Sequence, residues 1–118
     1  MIRNIDKPIF LQLADVIKSR IIDGSLKPDD KIPSVRELAA EYEVNNNTVM
    51  RSVELLSGEG IIYQKRGMGY FVSLDAENII KEQQYETFLS QVVPQMKKMM
   101  SRLGITPDQV AEILKKDM

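Results

Sequence analysis

Apolar side chains recur at Ile9, Phe10, Leu13, Ala14, Ile17 and Ile21, the spacing of one helix face. Asp6 is placed to cap that helix, Pro8 suits its first turn, and Asp23-Gly24 ends it with a glycine that tolerates the left-handed conformation. A turn over residues 25–30 and a very short strand at Lys31-Ile32 follow. Ser34 and Glu37 have capping-box spacing, so a second helix runs from Ser34 to about Tyr42 with Val35, Leu38 and Ala39 inward. Glu43-Val44-Asn45 is a tight turn, and Asn45 or Asn46 caps a third helix that ends near Gly58-Glu59-Gly60. Val49, Ser52, Val53 and Leu56 share its inner face; Asn47, Met50, Arg51 and Glu54 share the outer one.

After Gly60 the period changes. Residues 61–64 and 70–72 are β-branched and aromatic, and Lys65-Arg66-Gly67-Met68-Gly69 lies between them, which predicts a hairpin with a glycine-bearing tip. Two short helices at a tight turn followed by a hairpin is the order of a winged helix-turn-helix. A long helical stripe then runs through Ile79, Tyr85, Phe88, Leu89, Val92, Met96, Met99, Met100 and Leu103. Pro94 interrupts it, which predicts a kink or a restart. Gly104 ends the stripe, and Thr106, Pro107 and Gln109 open a last helix.

Composition narrows the chemistry. The 118 residues include no cysteine and no histidine, which removes disulfides, thiolate or imidazole metal sites and cysteine- or histidine-dependent catalysis. No pair of groups suited to enzyme chemistry stands out, and no metal or cofactor is expected. No run approaches membrane-spanning length and no signal-peptide pattern opens the chain, so a cytoplasmic protein with no membrane role is expected. Net charge is −1, and residues 1–74 carry ten charges of each sign. Nucleic-acid binding therefore has to rest on local placement of cations.

That placement is present. The second helix is positioned to cross a DNA backbone while the third enters the major groove. Base edges offer donors and acceptors, so the groove-facing helix needs polar residues early, and Asn45, Asn46, Asn47 and Thr48 supply them. Arg51 lies one turn beyond Asn47. Ser34 and Arg36 stand in the first turn of the second helix, and Lys65, Arg66, Gly67 and Gly69 form the wing tip. Each feature has a plain alternative: an asparagine run caps helices, a lone arginine is a solvated charge, and a Lys-Arg-Gly tip is an exposed turn. Their order and spacing together are more specific than any one of them.

The stretches Pro8-Ile9-Phe10-Leu11-Gln12-Leu13, Leu26 through Ala39, Val44 through Val49, Leu56 through Gly60 and Arg66 through Val72 resemble the DNA-binding domain of GntR-type bacterial transcription regulators. The short helical tail resembles the YtrA-like subgroup. The resemblance implies a homodimer that binds double-stranded DNA at a short palindromic operator and usually represses. Two positions depart from the family pattern, which usually has Arg at Asn46 and often Gly at Glu43. The first departure removes a cation, and the second puts a bulkier residue where positive φ favours glycine.

The expected fold is mostly α with a small β-hairpin: a winged helix-turn-helix domain over residues 1–73 and a helical dimerisation region over residues 74–118. Tyr85, Phe88, Leu89, Val92, Met96, Met99 and Leu103 are the expected dimerisation residues. Met96, Met99 and Met100 alternatively line an adaptable pocket, and the sequence names no small-molecule effector. The alternative function is a winged-helix protein-interaction module without DNA binding, favoured by the neutral charge and opposed by the polar helix face and basic wing.

Overall fold

The computed structural model describes residues 6–118, except the side chain of residue 117. The chain divides into two compact units between Lys81 and Glu82. In the first unit, α1 (Ile9–Ile22), α2 (Val35–Tyr42) and α3 (Asn46–Gly58) precede β1 (Ile62–Lys65), β2 (Gly69–Val72) and the first turns of α4 (Ala76–Thr87). No helix among the described residues is long and apolar enough to cross a membrane.

The cap expected from Asp6 falls to Pro8. Its ring holds φ at −54° while ψ is extended at 142°, so it stands just outside α1, and its carbonyl accepts from the Leu11 and Gln12 N–H groups. Leu13, Ala14, Ile17 and Ile21 are buried, whereas Ile9 is 51% exposed and Phe10 only half-buried. The first turn of α1 therefore lies at the edge of the core.

Leu13 and Ile17 meet Leu38 of α2, Val49, Val53 and Leu56 of α3, and Ile61, Ile62 and Val72 around the hairpin. Burying such a side chain contributes about 1.5–3 kcal/mol each, so this cluster dominates the stability of the unit. Ser52 is the one polar side chain buried among the described residues. Its hydroxyl donates to the Phe10 carbonyl at 2.6 Å and ties α3 to α1.

The strands pair antiparallel with Ile62 opposite Val72 and Lys65 opposite Gly69. The short strand expected at Lys31-Ile32 adds to this hairpin: Lys31 bridges Phe71, and the Ile32 N–H donates to the Tyr70 carbonyl at 2.9 Å. Ala76 and Ile80, both essentially buried, belong to the same core. The compact unit thus runs on through the start of α4 to Lys81.

In the second unit, α4 gives way to one π-helical turn, Phe88–Val92, and then to α5 (Val93–Leu103) and α6 (Pro107–Asp117). Pro94 was expected to kink the helix or restart it. Instead the turn before it widens: the Val93 N–H donates to the Phe88 carbonyl, and Val92 and Val93 keep right-handed helical dihedrals. A wider turn moves the preceding carbonyls off the proline ring. Gly104 ends α5 at φ 70°, and a capping box between Thr106 and Gln109 opens α6.

Candidate nucleic-acid interface

Two caps and one turn set the geometry of α2 and α3. The Ser34 Oγ accepts from the Glu37 N–H at 3.1 Å, and the Ser34 N–H donates to the Glu37 carboxylate at 2.9 Å. The Ser34 N–H first, and the Ser34 side chain second, hold the Glu37 carboxyl below its ordinary value. Ser34 thus serves as the cap of α2. Between the helices Glu43 adopts the left-handed conformation, φ 56° and ψ 47°, the region that favours glycine. Of the two candidate caps for α3, Asn45 takes the role: its Oδ1 accepts from the Thr48 N–H at 2.8 Å. The Asn45 amide NH₂ remains available.

With Val49, Ser52, Val53 and Leu56 buried, the opposite side of α3 is open. Asn46, Asn47 and Arg51 are exposed, and Thr48 is half-buried. The Arg51 guanidinium lies over the Phe10 ring, 4.0 Å from its centroid. Arg36 is exposed in the first turn of α2.

At the wing, Lys65, Arg66 and Gly67 are exposed. The Met68 N–H donates to the Lys65 carbonyl at 2.9 Å and closes the tip. Gly69 has φ 105°, a conformation that favours glycine, and a Cβ there would stand 3.1 Å from the Lys31 Cε, close enough that the lysine side chain would have to give by a few tenths of an ångström. The Lys65 ammonium sits over the Phe71 ring at 4.4 Å and the Tyr63 ring at 5.9 Å. Those two rings stack, with centroids 5.9 Å apart. The Tyr63 hydroxyl donates to Asp29 at 2.8 Å, and this bond, ahead of burial, raises its pKa above the ordinary tyrosine value.

The ion pairs explain how a neutral domain presents positive charge. Lys7 pairs with Asp15, Lys18 with Glu59 at 3.2 Å, and Arg20 with Glu41 at 3.9 Å. Arg36, Arg51, Lys65 and Arg66 have no ion-pair partner among the described residues. Of the paired cations in this unit, Lys18 and Arg20 lie on α1 and Lys7 just before it, whereas Arg36, Arg51, Lys65 and Arg66 stand on α2, α3 and the wing. Phe10 and Lys31 were not singled out by sequence reasoning. Phe10 read as part of an apolar helix face and Lys31 as part of a short strand, yet Lys31 lines the cleft of about 330 Å³ between the wing and the start of α2.

A helix-turn-helix with a hairpin wing and an open polar face on its second helix defines a winged-helix DNA-binding domain of a transcription regulator. Residues 10–72 match the family described as "Bacterial regulatory proteins, gntR family", and the chain belongs to that family. It is 38% identical over 109 residues, 92% of this chain and 88% of the relative, to the uncharacterized HTH-type transcriptional regulator YhcF of Bacillus subtilis. The HTH-type transcriptional repressor YtrA of the same organism is 41% identical over 75 residues, 64% of this chain and 58% of that protein. Among solved structures, a putative GntR-family regulator from Bacteroides thetaiotaomicron superposes with TM-score 0.79 at 38% identity, covering 92% of this chain and 94% of that one. The DNA-binding domain of AraR in complex with operator ORX1 superposes with TM-score 0.55 at 33% identity, covering 57% of this chain and 81% of that one. The chain is a transcription regulator and not an enzyme.

Proposed function

We propose that this protein is a cytoplasmic transcription repressor that binds a palindromic operator as a homodimer. The observation that carries the reading is the division of α3: Val49, Ser52, Val53 and Leu56 are buried on one face, and the other exposes Asn46, Asn47 and Arg51, the arginine without an ion-pair partner among the described residues. In this reading α3 enters the major groove, where Asn47, Thr48 and Arg51 read base edges. Ser34, Arg36, Asn45 and Asn46 hold the flanking phosphates. Lys65 and Arg66 add charge from the wing, whose Gly67 and Gly69 let backbone approach the duplex. The AraR domain held on its operator supports DNA as the partner, and the name of the repressor YtrA supports the sign of regulation.

The second unit supports the dimer. Tyr85, Phe88, Leu89, Val92, Met96, Met99 and Leu103 are between 40% and 66% exposed. A stripe of that length on one helical run is unusual on a monomer. A twofold pairing covers it and sets two recognition helices against half-sites related by the same symmetry. Selecting genomic fragments bound by the full-length protein at moderate salt tests the proposal. Enriched fragments should share an inverted repeat, and footprinting should protect both halves. Failure to enrich any sequence at low or moderate salt would remove operator recognition from the reading.

A further inference from the structure

We propose that Phe10 is a positioning residue for DNA readout: its ring is the platform that holds Arg51 toward the groove. The inference rests on the reading that Arg51 contacts DNA. Three observations meet at this point. The Arg51 guanidinium lies 4.0 Å from the Phe10 ring centroid, within stacking and cation–π range. No carboxylate among the described residues pairs with Arg51, so the Phe10 ring is the side-chain partner left to orient it. The residue after Arg51 grips the same platform, because the Ser52 hydroxyl donates to the Phe10 carbonyl at 2.6 Å. Ring and guanidinium are thereby held by adjacent positions of α3.

The geometry suits recognition. A guanidinium carries its five N–H donors in its own plane. A guanidinium held over a ring by its charge keeps N–H donors for a base or a phosphate. An arginine already held in one orientation loses less freedom on binding. The placement also accounts for Phe10 itself. It belongs to the apolar stripe of α1 yet remains half-buried at the rim of the core, where its ring has a solvent-facing side to offer.

The test uses full-length protein, a fluorescent duplex carrying the genomically selected site, and a random-sequence duplex of equal length. Phe10→Leu keeps an apolar side chain and removes the π face; Phe10→Tyr keeps the face. Replacing Phe10 by Leu should weaken binding to the site roughly threefold to tenfold and lower its preference over random DNA. Phe10→Tyr should stay within about twofold of the parent. In an Arg51→Ala background the further change Phe10→Leu should have almost no effect, since nothing remains to position. The Arg51 side-chain protons of the free protein should show an upfield ring-current shift that Phe10→Leu abolishes. Thermal unfolding monitors whether each variant is folded. Absence of the ring-current shift in the parent, or an equal loss from Phe10→Leu with and without Arg51, overturns the platform. If Arg51→Ala weakens binding while Phe10→Leu changes neither affinity nor preference, the platform fails and readout by Arg51 stands. If Arg51→Ala itself binds like the parent, both fail.

Discussion

Glu43 carries the sharpest local conflict between residue type and backbone. A residue with a Cβ pays about 1–2 kcal/mol in the left-handed region, and Glu43 sits there at φ 56°. Glycine removes that cost and adds roughly 0.5–1 kcal/mol of lost backbone freedom. Glu43→Gly should therefore stabilise the protein by roughly 0.5–1 kcal/mol, seen as a higher melting temperature with operator affinity unchanged. A lower melting temperature would show that the Glu43 side chain makes a contribution the turn geometry does not reveal. Glu37 has a pH signature. Its carboxyl is lowered by the Ser34 N–H and side chain, so its folded pKa lies below the unfolded one. The stabilisation is complete above the ordinary glutamate range and is lost as pH falls through the lowered value. Urea denaturation of the parent and Glu37→Gln across that range should show their difference shrinking toward acid. A pH-independent difference would mean that the charge of Glu37 plays no part in the cap.

At the scale of elements, base readout is proposed for α3 and sequence-independent charge for the wing, where the Lys65 ammonium lies over the Phe71 and Tyr63 rings. Lys65→Ala and Arg66→Ala should each weaken binding to all sequences and reduce the slope of log K against log salt by about one per protomer. Binding titrations from low to moderate salt measure this. A slope unchanged in both variants would place the wing away from the duplex. The start of α4 has a different duty, because Ile80 is fully buried in the winged-helix core. Ile80→Ala should cost about 2–5 kcal/mol, measured by urea denaturation, and a chain ending at residue 73 should be less stable than one ending at residue 81. Equal stability of the two truncated chains would mean that α4 adds nothing to the core.

For the whole molecule, the prediction concerns assembly. With the first 74 residues electrically neutral, one recognition helix and one wing make a small footprint. Joining two makes the second binding event effectively intramolecular and raises apparent affinity by about two orders of magnitude or more. Replacing Phe88 and Met96 with Glu should yield a folded monomer by sedimentation. Its affinity for a site with two half-sites should drop by about that factor, while its affinity for a single half-site stays the same. A parent protein that is monomeric at micromolar concentration would remove the dimer from the proposal.

What the sequence by itself determined was local. The capping box at Ser34 and Glu37, the cap of α3, the inner face at Val49, Ser52, Val53 and Leu56, and the hairpin were all legible. Each depends on residues within a turn or two of one another, where spacing dictates geometry. The motif order and its family resemblance followed from these. The tertiary structure alone decided matters that join distant segments. It set Arg51 of α3 against Phe10 of α1, and Lys65 against Phe71. It paired Lys18 and Arg20 of α1 and left Arg36, Arg51, Lys65 and Arg66 without an ion-pair partner among the described residues. It drew Ala76 and Ile80 of α4 into the core of the first unit. It also resolved Pro94 as a widened turn, because neighbouring carbonyls can shift without breaking the helix. Periodicity tells which side of a helix turns inward; only packing tells which residue of another helix it will meet.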